Sequence, residues 1–400
     1  MSASRGRHVR GWIALIVVLA ISAGCTGAPI LARPAVAQAP APPSSARPTH
    51  VPDPVPVVLP ADDGPHDRLT EWWYYTGHLR DGAGARFGFE VVVFRAERGR
   101  FPTGWVSHFA VTDETGHRFY YAQRADIAAT VDRSPRDAAG MPTGFDLALA
   151  NADPFHPQTD ARVAWSIAGS GGNDRLSAEL TPDEAVQAEV PGGMAIDLSL
   201  SATKPVTLQD RDGWIDFGPA GGSYYYSRTA MSAHGTLDLA GRRYAVDGAA
   251  WFDHQWGDYV AIGASGWDWF AINLSDGPDL MLWPIRDAAG EYPLTYGTLV
   301  DRAGEAHHLD PSDFTVEVTD HWGSPKTGAT YPAGWRVRVP GAGLSVELKP
   351  TVADQELDTR RTTGLAYWEG SQVVQAIRDG QPIGGEAYVE LTGYAPVGGP

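Results

Sequence analysis

Four hundred residues exceed what one hydrophobic core usually organises, so two folded units plus terminal segments are expected. The 48 acidic against 31 basic residues argue against nucleic acid and anionic lipid surfaces as partners. A single cysteine excludes an intramolecular disulfide, so the fold must stand on its apolar cores even in an oxidising compartment.

Arg5, Arg7 and Arg10 precede an uncharged apolar run from Trp12 to Ala23 and then small residues, the order of an export signal over residues 1–24. The run is too short to span a bilayer stably. Two exits compete: Ser22-Ala23-Gly24-Cys25 resembles a lipoprotein box without its usual leucine, and Ala35-Val36-Ala37 suits ordinary signal peptidase. Cys25 sits directly after the apolar run, where a lipid-accepting thiol has to be, so an envelope lipoprotein tethered through Cys25 is the leading expectation. A free periplasmic or secreted protein and a retained anchor are the alternatives. Cleavage before Cys25 removes three arginines, leaving 28 basic against 48 acidic residues and a formal charge of −20.

Residues 25–60 are rich in Ala, Pro, Val and Ser, including Pro29, Pro34, Pro40, Pro42, Pro43 and Pro48, and predict a disordered, semi-extended tether. From Glu71 onward, short aromatic and β-branched runs alternate with Asp-Gly, Gly-Gly and Asn/Asp-rich turns. Trp72 to Leu79, Phe87 to Phe94, Val106 to Thr112, Trp267 to Leu274, Leu280 to Ile285, Trp335 to Val339 and Ala387 to Leu391 are predicted strands. Helical spacing over three turns is nearly absent, so the fold class is all-β with antiparallel, hairpin-joined sheets.

The chain also repeats. Trp72, Tyr74, Tyr75, His78, Leu79, Asp81 and Gly82 match Trp267, Trp269, Phe270, Asn273, Leu274, Asp276 and Gly277 at an offset of 195 residues. Val111-Thr112-Asp113 with Gly116 parallels Leu299-Val300-Asp301 with Gly304. A third pair sets Gly248, Ala250, Trp251, Phe252 and Asp253 against Gly385, Ala387, Tyr388, Val389 and Glu390. Three matches in one order predict a duplicated β unit. The division is expected between about 230 and 261, giving domains of 61–240 and 241–398. A closed antiparallel barrel of about eight to ten strands removes sheet edges and encloses space for one small apolar ligand.

The strings Glu71-Trp72-Trp73-Tyr74-Tyr75-Thr76-Gly77-His78-Leu79, Ser223-Tyr224-Tyr225-Tyr226-Ser227, Trp251-Phe252-Asp253-His254-Gln255-Trp256 and Gly266-Trp267-Asp268-Trp269-Phe270 resemble signature segments of the carotenoid 1,2-hydratase (AttH-like) family. So do Gly297-Thr298-Leu299-Val300, Tyr367-Trp368-Glu369-Gly370 and Tyr388-Val389-Glu390-Leu391-Thr392-Gly393-Tyr394. The resemblance implies two lipocalin-like (calycin) barrel domains. It also implies an activity among polyene hydratases or the exported proteins classed as hydrolases. The sequence departs from the family at Gln255, where an acid is common, and at Gly257, where serine is usual.

Hydration of an unactivated alkene needs a general acid, aromatic faces for the cation and a placed water. Asp253 and Asp268, each between aromatic residues, are the candidate acids, with Glu71 third; His254 is a candidate proton relay. The competing structural reading has such carboxylates accepting indole N–H groups and the histidine packed in a core. Trp72, Tyr75, Tyr225, Trp256, Trp267 and Trp269 are candidate walls of a substrate pocket, and Asp253, His254, Trp256 and Asp268 are expected to converge on it. No Gly-x-Ser-x-Gly elbow, His-Glu-x-x-His or cysteine pair occurs, and His307 and His308 lie in a polar stretch. No metal and no cofactor are therefore expected. The reading is a monomeric, cofactor-free hydratase or isomerase of an apolar isoprenoid or polyene, with a non-catalytic carrier or a structural envelope protein as rivals. Substitution Cys25→Ser is expected to move the protein from the membrane to the soluble fraction. A wild type found soluble on fractionation would contradict lipidation.

Overall fold

The computed structural model describes residues 53–150, 164–259 and 266–396; the export signal, Cys25 and the tether up to residue 52 lie outside them. The first sheet contains β1 (Thr70–Asp81), β2 (Arg86–Ala96), β3 (Gly104–Asp113), β4 (Arg118–Asp126), β5 (Phe145–Leu149), β6 (Trp165–Ser170), β7 (Asn173–Glu179), β8 (Met194–Ala202), β9 (Thr207–Leu208), β10 (Trp214–Asp216), β11 (Gly222–Leu239) and β12 (Arg242–Gly257). The second contains β13 (Gly266–Leu274), β14 (Asp279–Arg286), β15 (Leu294–Val300), β16 (Ala306–Leu309), β17 (Thr315–Gly323), β18 (Thr330–Val339), β19 (Leu344–Pro350), β20 (Glu356–Asp358), β21 (Ala366–Arg378) and β22 (Gln381–Leu391). All seven runs expected as strands lie within these elements. Every pairing between them is antiparallel.

The duplication is real at the level of topology. The order β4-β3-β2-β1-β12-β11-β8-β7-β6-β5 repeats as β16-β15-β14-β13-β22-β21-β19-β18-β17, with β9 and β10 on β11 echoed by β20 on β21. Each of the three sequence matches falls on an equivalent strand: β1 with β13, the end of β3 with that of β15, and β12 with β22. The first unit is a nearly closed barrel and the second a half-barrel, both of lipocalin-like form.

Two expected boundaries are corrected. A division at 240/241 would cut the long β11–β12 hairpin, whose register runs unbroken across Leu239↔Arg242; β12 belongs to the first sheet, between β1 and β11. The first unit therefore runs through Gly257, and the second begins with β13. The tether also ends earlier than residue 60. Asp53 holds both terminal nitrogens of Arg68 at 2.7 and 2.9 Å, and Val57 and Leu59 pack on the first core.

Among the described residues three large apolar cores result, with a small fourth cluster of Ala110, Leu357 and Tyr367. One fills the first barrel, with Trp73, Tyr75, Phe89, Phe109, Trp165 and Phe252 among its members. A second, including Phe270, Trp335, Val346 and Trp368, lies in the half-barrel. The third is the seam where the outer face of β1, β2, β11 and β12 meets that of β13, β14 and β22, and it holds Tyr74, Tyr225, Trp251, Trp269, Trp283 and Tyr388. Gly88 on β2 permits this approach, because a Cβ there would lie 2.6 Å from the Tyr388 hydroxyl and 2.8 Å from the Ser371 Cβ.

The ends of the first sheet, β4 and β5, are joined by a side chain instead of a ladder. Arg124 of β4 donates to the Leu149 carbonyl at the end of β5 (3.1 Å) and to the Glu179 carbonyl (3.2 Å). It also forks onto Glu184 with two 2.8 Å bonds and lies over the Trp165 ring at 4.3 Å. Glu184 is fixed in turn by a capping box with Thr181 on α1 (Pro182–Gln187). Arg124→Met strands the buried Glu184 charge and should cost about 3–5 kcal/mol in urea unfolding. Arg175→Met, which breaks an exposed pair with Asp197, should barely move the midpoint.

Candidate active site

Side chains alternate along a strand, and both faces of β1 and of β12 from Ala250 onward are covered, so each supplies two separate interiors. Glu71, Trp73 and Tyr75 face the barrel lumen with Phe252, His254 and Trp256, whereas Trp72, Tyr74, Trp251 and Asp253 face the seam. Adjacent residues Asp253 and His254 therefore never share a pocket. Asp268 sits apart from both, bound by Tyr292 (3.0 Å) and Tyr394 (2.9 Å) beside Arg286, whose guanidinium stacks over Tyr394 at 3.8 Å. Convergence of Asp253, His254, Trp256 and Asp268 is thus corrected to three environments, because a one-residue step reverses the face.

The lumen site is ionised. Glu71 Oε1 lies 2.7 Å from His66 Nδ1 and 3.0 Å from His254 Nε2, and its carboxylate also accepts the His66 backbone N–H. Burial alone would raise the Glu71 pKa, but the charge and hydrogen bonds of the two histidines hold it down at about 2. Burial opposes the charge on His66 too, yet Glu71 beside it pulls that pKa above the usual value; His254, without enough compensation for burial, is pushed below it. His66 stacks on Trp256 at 4.1 Å and His254 on Trp73 at 4.6 Å. Deeper in the lumen, Asp63 pairs with Arg228 at 2.6 Å and accepts the Tyr226 hydroxyl at 2.5 Å; Tyr75 donates to Asp174 at 2.9 Å. Tyr75 and Trp256 thus belong to this polar lumen and not to a pocket with the other proposed wall residues.

In the seam, burial shifts the carboxyls toward the neutral form. Asp253 accepts from Ser227 (2.5 Å), Tyr225 (2.6 Å) and the Trp251 indole (2.7 Å), and Tyr225 in turn accepts the Trp269 indole at 3.0 Å. Even so, burial lifts the Asp253 pKa to about 7 against those three bonds. Trp267 donates to Glu390 at 3.1 Å, yet burial, with the charge of Asp253 adding to it, carries Glu390 to about 7. Glu369 stands directly opposite Glu390 in the β21–β22 register and accepts Tyr74 at 2.8 Å; burial and its acidic neighbours Glu90 and Glu390 push it well above the carboxylate range. Glu90 accepts Tyr367 at 2.9 Å and is carried by burial to about 8. Oε2 of both Glu369 and Glu90 is buried without a protein hydrogen-bond partner among the described residues. Two carboxylates facing each other across a ladder repel, which favours the neutral form of one of them. Burial also drives the seam's His108, bound to the Tyr367 hydroxyl at 2.7 Å, down to about 3, so it is neutral and offers no counter-charge.

Neutral carboxylic acids against aromatic faces, with hydroxyls and indoles fixing their orientation, form an arrangement able to deliver protons to an apolar substrate. Trp72, Tyr225, Trp267 and Trp269 all belong to this seam. Glu90, Glu369, Glu390, Tyr74 and Tyr367 were not singled out from sequence. One signal for Glu390 was present, since the third repeat match already aligned it with Asp253. Glu90 and Glu369 are lone acids on alternating strands, and nothing in one chain distinguishes them from solvent-facing residues.

Comparison with known proteins agrees with this architecture. Over residues 50–394 the chain matches the model of the AttH-like family. A crystal structure assigned as AttH from Nitrosomonas europaea superposes with a TM-score of 0.70 at 29% identity, over 86% of this chain and 99% of that one. Kievitone hydratase from Nectria haematococca follows the same fold with a TM-score of 0.63 at 16% identity, over 84% of this chain and 93% of that one. CghA, crystallised with Sch210972, does so with a TM-score of 0.54 at 12% identity, over 82% and 88%. No match was found among curated protein sequences. With the family model spanning both β units and the seam between them, the chain belongs to the AttH-like family.

Proposed function

We propose that the protein is a cofactor-free hydratase, or a related isomerase, acting on an apolar polyene-like molecule such as an isoprenoid at the seam between the two β units. The observation that carries this reading is the group of four buried carboxyls, Asp253, Glu369, Glu390 and Glu90, each with a raised pKa and an aromatic neighbour. A protonated Glu369 or Glu390 transfers its proton to one alkene carbon, leaving a carbocation at the other. Tyr74, Trp269 and Tyr388, packed in the same seam, supply the aromatic faces that such a cation requires in this reading. Water adds to the cation and returns a proton to the carboxylate, so one molecule of water is added and the acid is regenerated. Kievitone hydratase is by name a hydratase, and CghA holds a small molecule within the same fold, which supports the reading. We further propose delivery to the cell envelope through the export signal and Cys25.

A carrier function has its own supporting observation: all three donors to Asp253 are satisfied within the protein, as a purely structural acid requires. The rivals differ in turnover. Lipid that co-purifies should be identified by mass spectrometry, then acyclic isoprenoid polyenes incubated with the protein in ¹⁸O-labelled water. Glu369→Gln and Glu390→Gln are expected to lower kcat by about 100-fold or more while ligand binding persists. Bound but unconverted polyene in the wild type, or full turnover in both variants together with Asp253→Asn, would establish the carrier instead.

The same acids set the pH dependence. Their folded-state pKa values exceed the ordinary 3.8 and 4.5, so they favour the folded state most below those values, and the benefit is lost as pH rises through about 7 to about 8. Activity should fall over the same interval as the proton donor is lost. Urea unfolding at pH 5 and pH 9, flanking those values, should show Glu90→Gln flattening the loss of stability on the alkaline side. An unchanged slope would mean Glu90 is already ionised at neutral pH.

A further inference from the structure

The lumen site lies on the opposite face of β1 and β12 from the seam and takes no part in the proposed chemistry. We propose that His66, Glu71 and His254 form a binding site for one divalent transition-metal ion of the zinc type, at the end of the first barrel where the chain enters β1. One ligand atom from each residue lies within 4.8 Å of the other two. The three come from separate segments: the turn that follows Ala61–Asp63, the start of β1 and the end of β12. Two imidazoles and one carboxylate are a donor set that borderline metals prefer and that calcium and magnesium do not.

The hydrogen bonds of this cluster converge on one atom. Both rings must direct N–H groups at the single oxygen Oε1 of Glu71, at 2.7 and 3.0 Å. By accepting at Oε1, Glu71 selects the Nε2–H tautomer of His254, whose buried Nδ1 has no hydrogen-bond partner among the described residues. An ion replaces the two converging protons. Metal–ligand bonds of about 2.0–2.2 Å in tetrahedral geometry set ligand atoms about 3.4 Å apart, so the separations of 2.7 and 3.0 Å must widen as the ion enters. The surroundings are those of a supported site: Asp62 Oδ1 stands 3.4 Å from His66 Nε2, the outer nitrogen of a ring whose Nδ1 faces the ion. The Trp256 and Trp73 faces fix both ring planes, and Arg95, 4.0 Å from Glu71 Oε2, leaves Oε1 as the coordinating oxygen. The ion would tie the entering turn to the β1–β12 pair.

The test uses the tag-free mature chain, stripped with chelator and titrated calorimetrically with zinc chloride, with cobalt(II) as a visible-absorption probe of the ligand field. One ion per chain, a cobalt spectrum of low-symmetry, nitrogen-ligated type and a raised Tm are expected. His66→Ala removes a partly exposed ring and should abolish stoichiometric binding while near-ultraviolet circular dichroism stays native. Asp62→Asn should weaken binding about 10–100-fold, and His321→Ala, on the exposed strand β17, should leave it unchanged. Absence of stoichiometric binding overturns the proposal. So does binding that survives in both His66→Ala and Glu71→Gln.

Discussion

Coverage of both faces of β1 and of β12 from Ala250 onward is the constraint on which the rest of this molecule depends. In an ordinary lipocalin-like barrel, one face of each strand meets solvent and charges there cost little. Here the outer face carries a second β unit, so every polar side chain on either face must be paired, hydrogen-bonded or neutral. The two faces meet that demand differently. Two inward carboxylates have cationic or ring-nitrogen partners, Asp63 with Arg228 and Glu71 with His66 and His254, whereas Asp174, held by the Tyr75 hydroxyl, is raised by burial to about 6. Outward carboxyls have only hydroxyls and indoles, which orient a neutral acid but do not offset a charge.

Pseudo-symmetry explains why acids crowd the seam. The faces that meet belong to equivalent strands of the duplicated unit, so related residues approach one another as in an isologous dimer. Tyr74 and its repeat partner Trp269 touch edge to face at 5.3 Å. Asp253 and its partner Glu390 lie close enough for the charge of one to raise the pKa of the other. An acid on one copy of a self-complementary patch thus becomes a pair across the interface. Divergence between the copies then places Glu369 opposite Glu390, where the first unit has Ser227 opposite Asp253.

Strand positions, the duplication and the aromatic segments were legible from the sequence because each is a local pattern of spacing. The facing of each residue was legible in principle, since alternation alone separates Asp253 from His254. Grouping them treated nearness in sequence as nearness in space, which holds on a loop and fails on a strand. The third match, Gly248 to Asp253, lies on β12 and aligns it with β22, the last strand of the second unit, so a boundary at 240 passed over a signal that the repeat already carried. Asp53 to Pro60 read as tether by composition, yet Asp53 finds Arg68, and a bidentate pair outweighs a weak local propensity. Glu90 and Glu369 had no legible mark, because their burial is created by the partner unit.

That last point bears on the chemistry itself. Glu90, Asp253 and Tyr74 come from the first unit, and Glu369 and Glu390 from the second, so no single unit holds the acid group. Separated, these carboxyls would face water and ionise, since nothing but burial is the leading cause of their raised pKa values. Packing of barrel against half-barrel therefore supplies the protons along with the walls. Buried contacts that bypass the acids hold the packing: Thr112 on Gln355 at 2.6 Å, Thr229 and Lys204 on Asp279 at 2.7 Å, and Thr298 on Gln209 at 2.7 Å. These satisfied groups lock the two units in one register. The acid cluster alone would favour separation, because its repulsion is relieved whenever water enters. The buried acids of the seam thus persist together because satisfied polar pairs around them secure the interface.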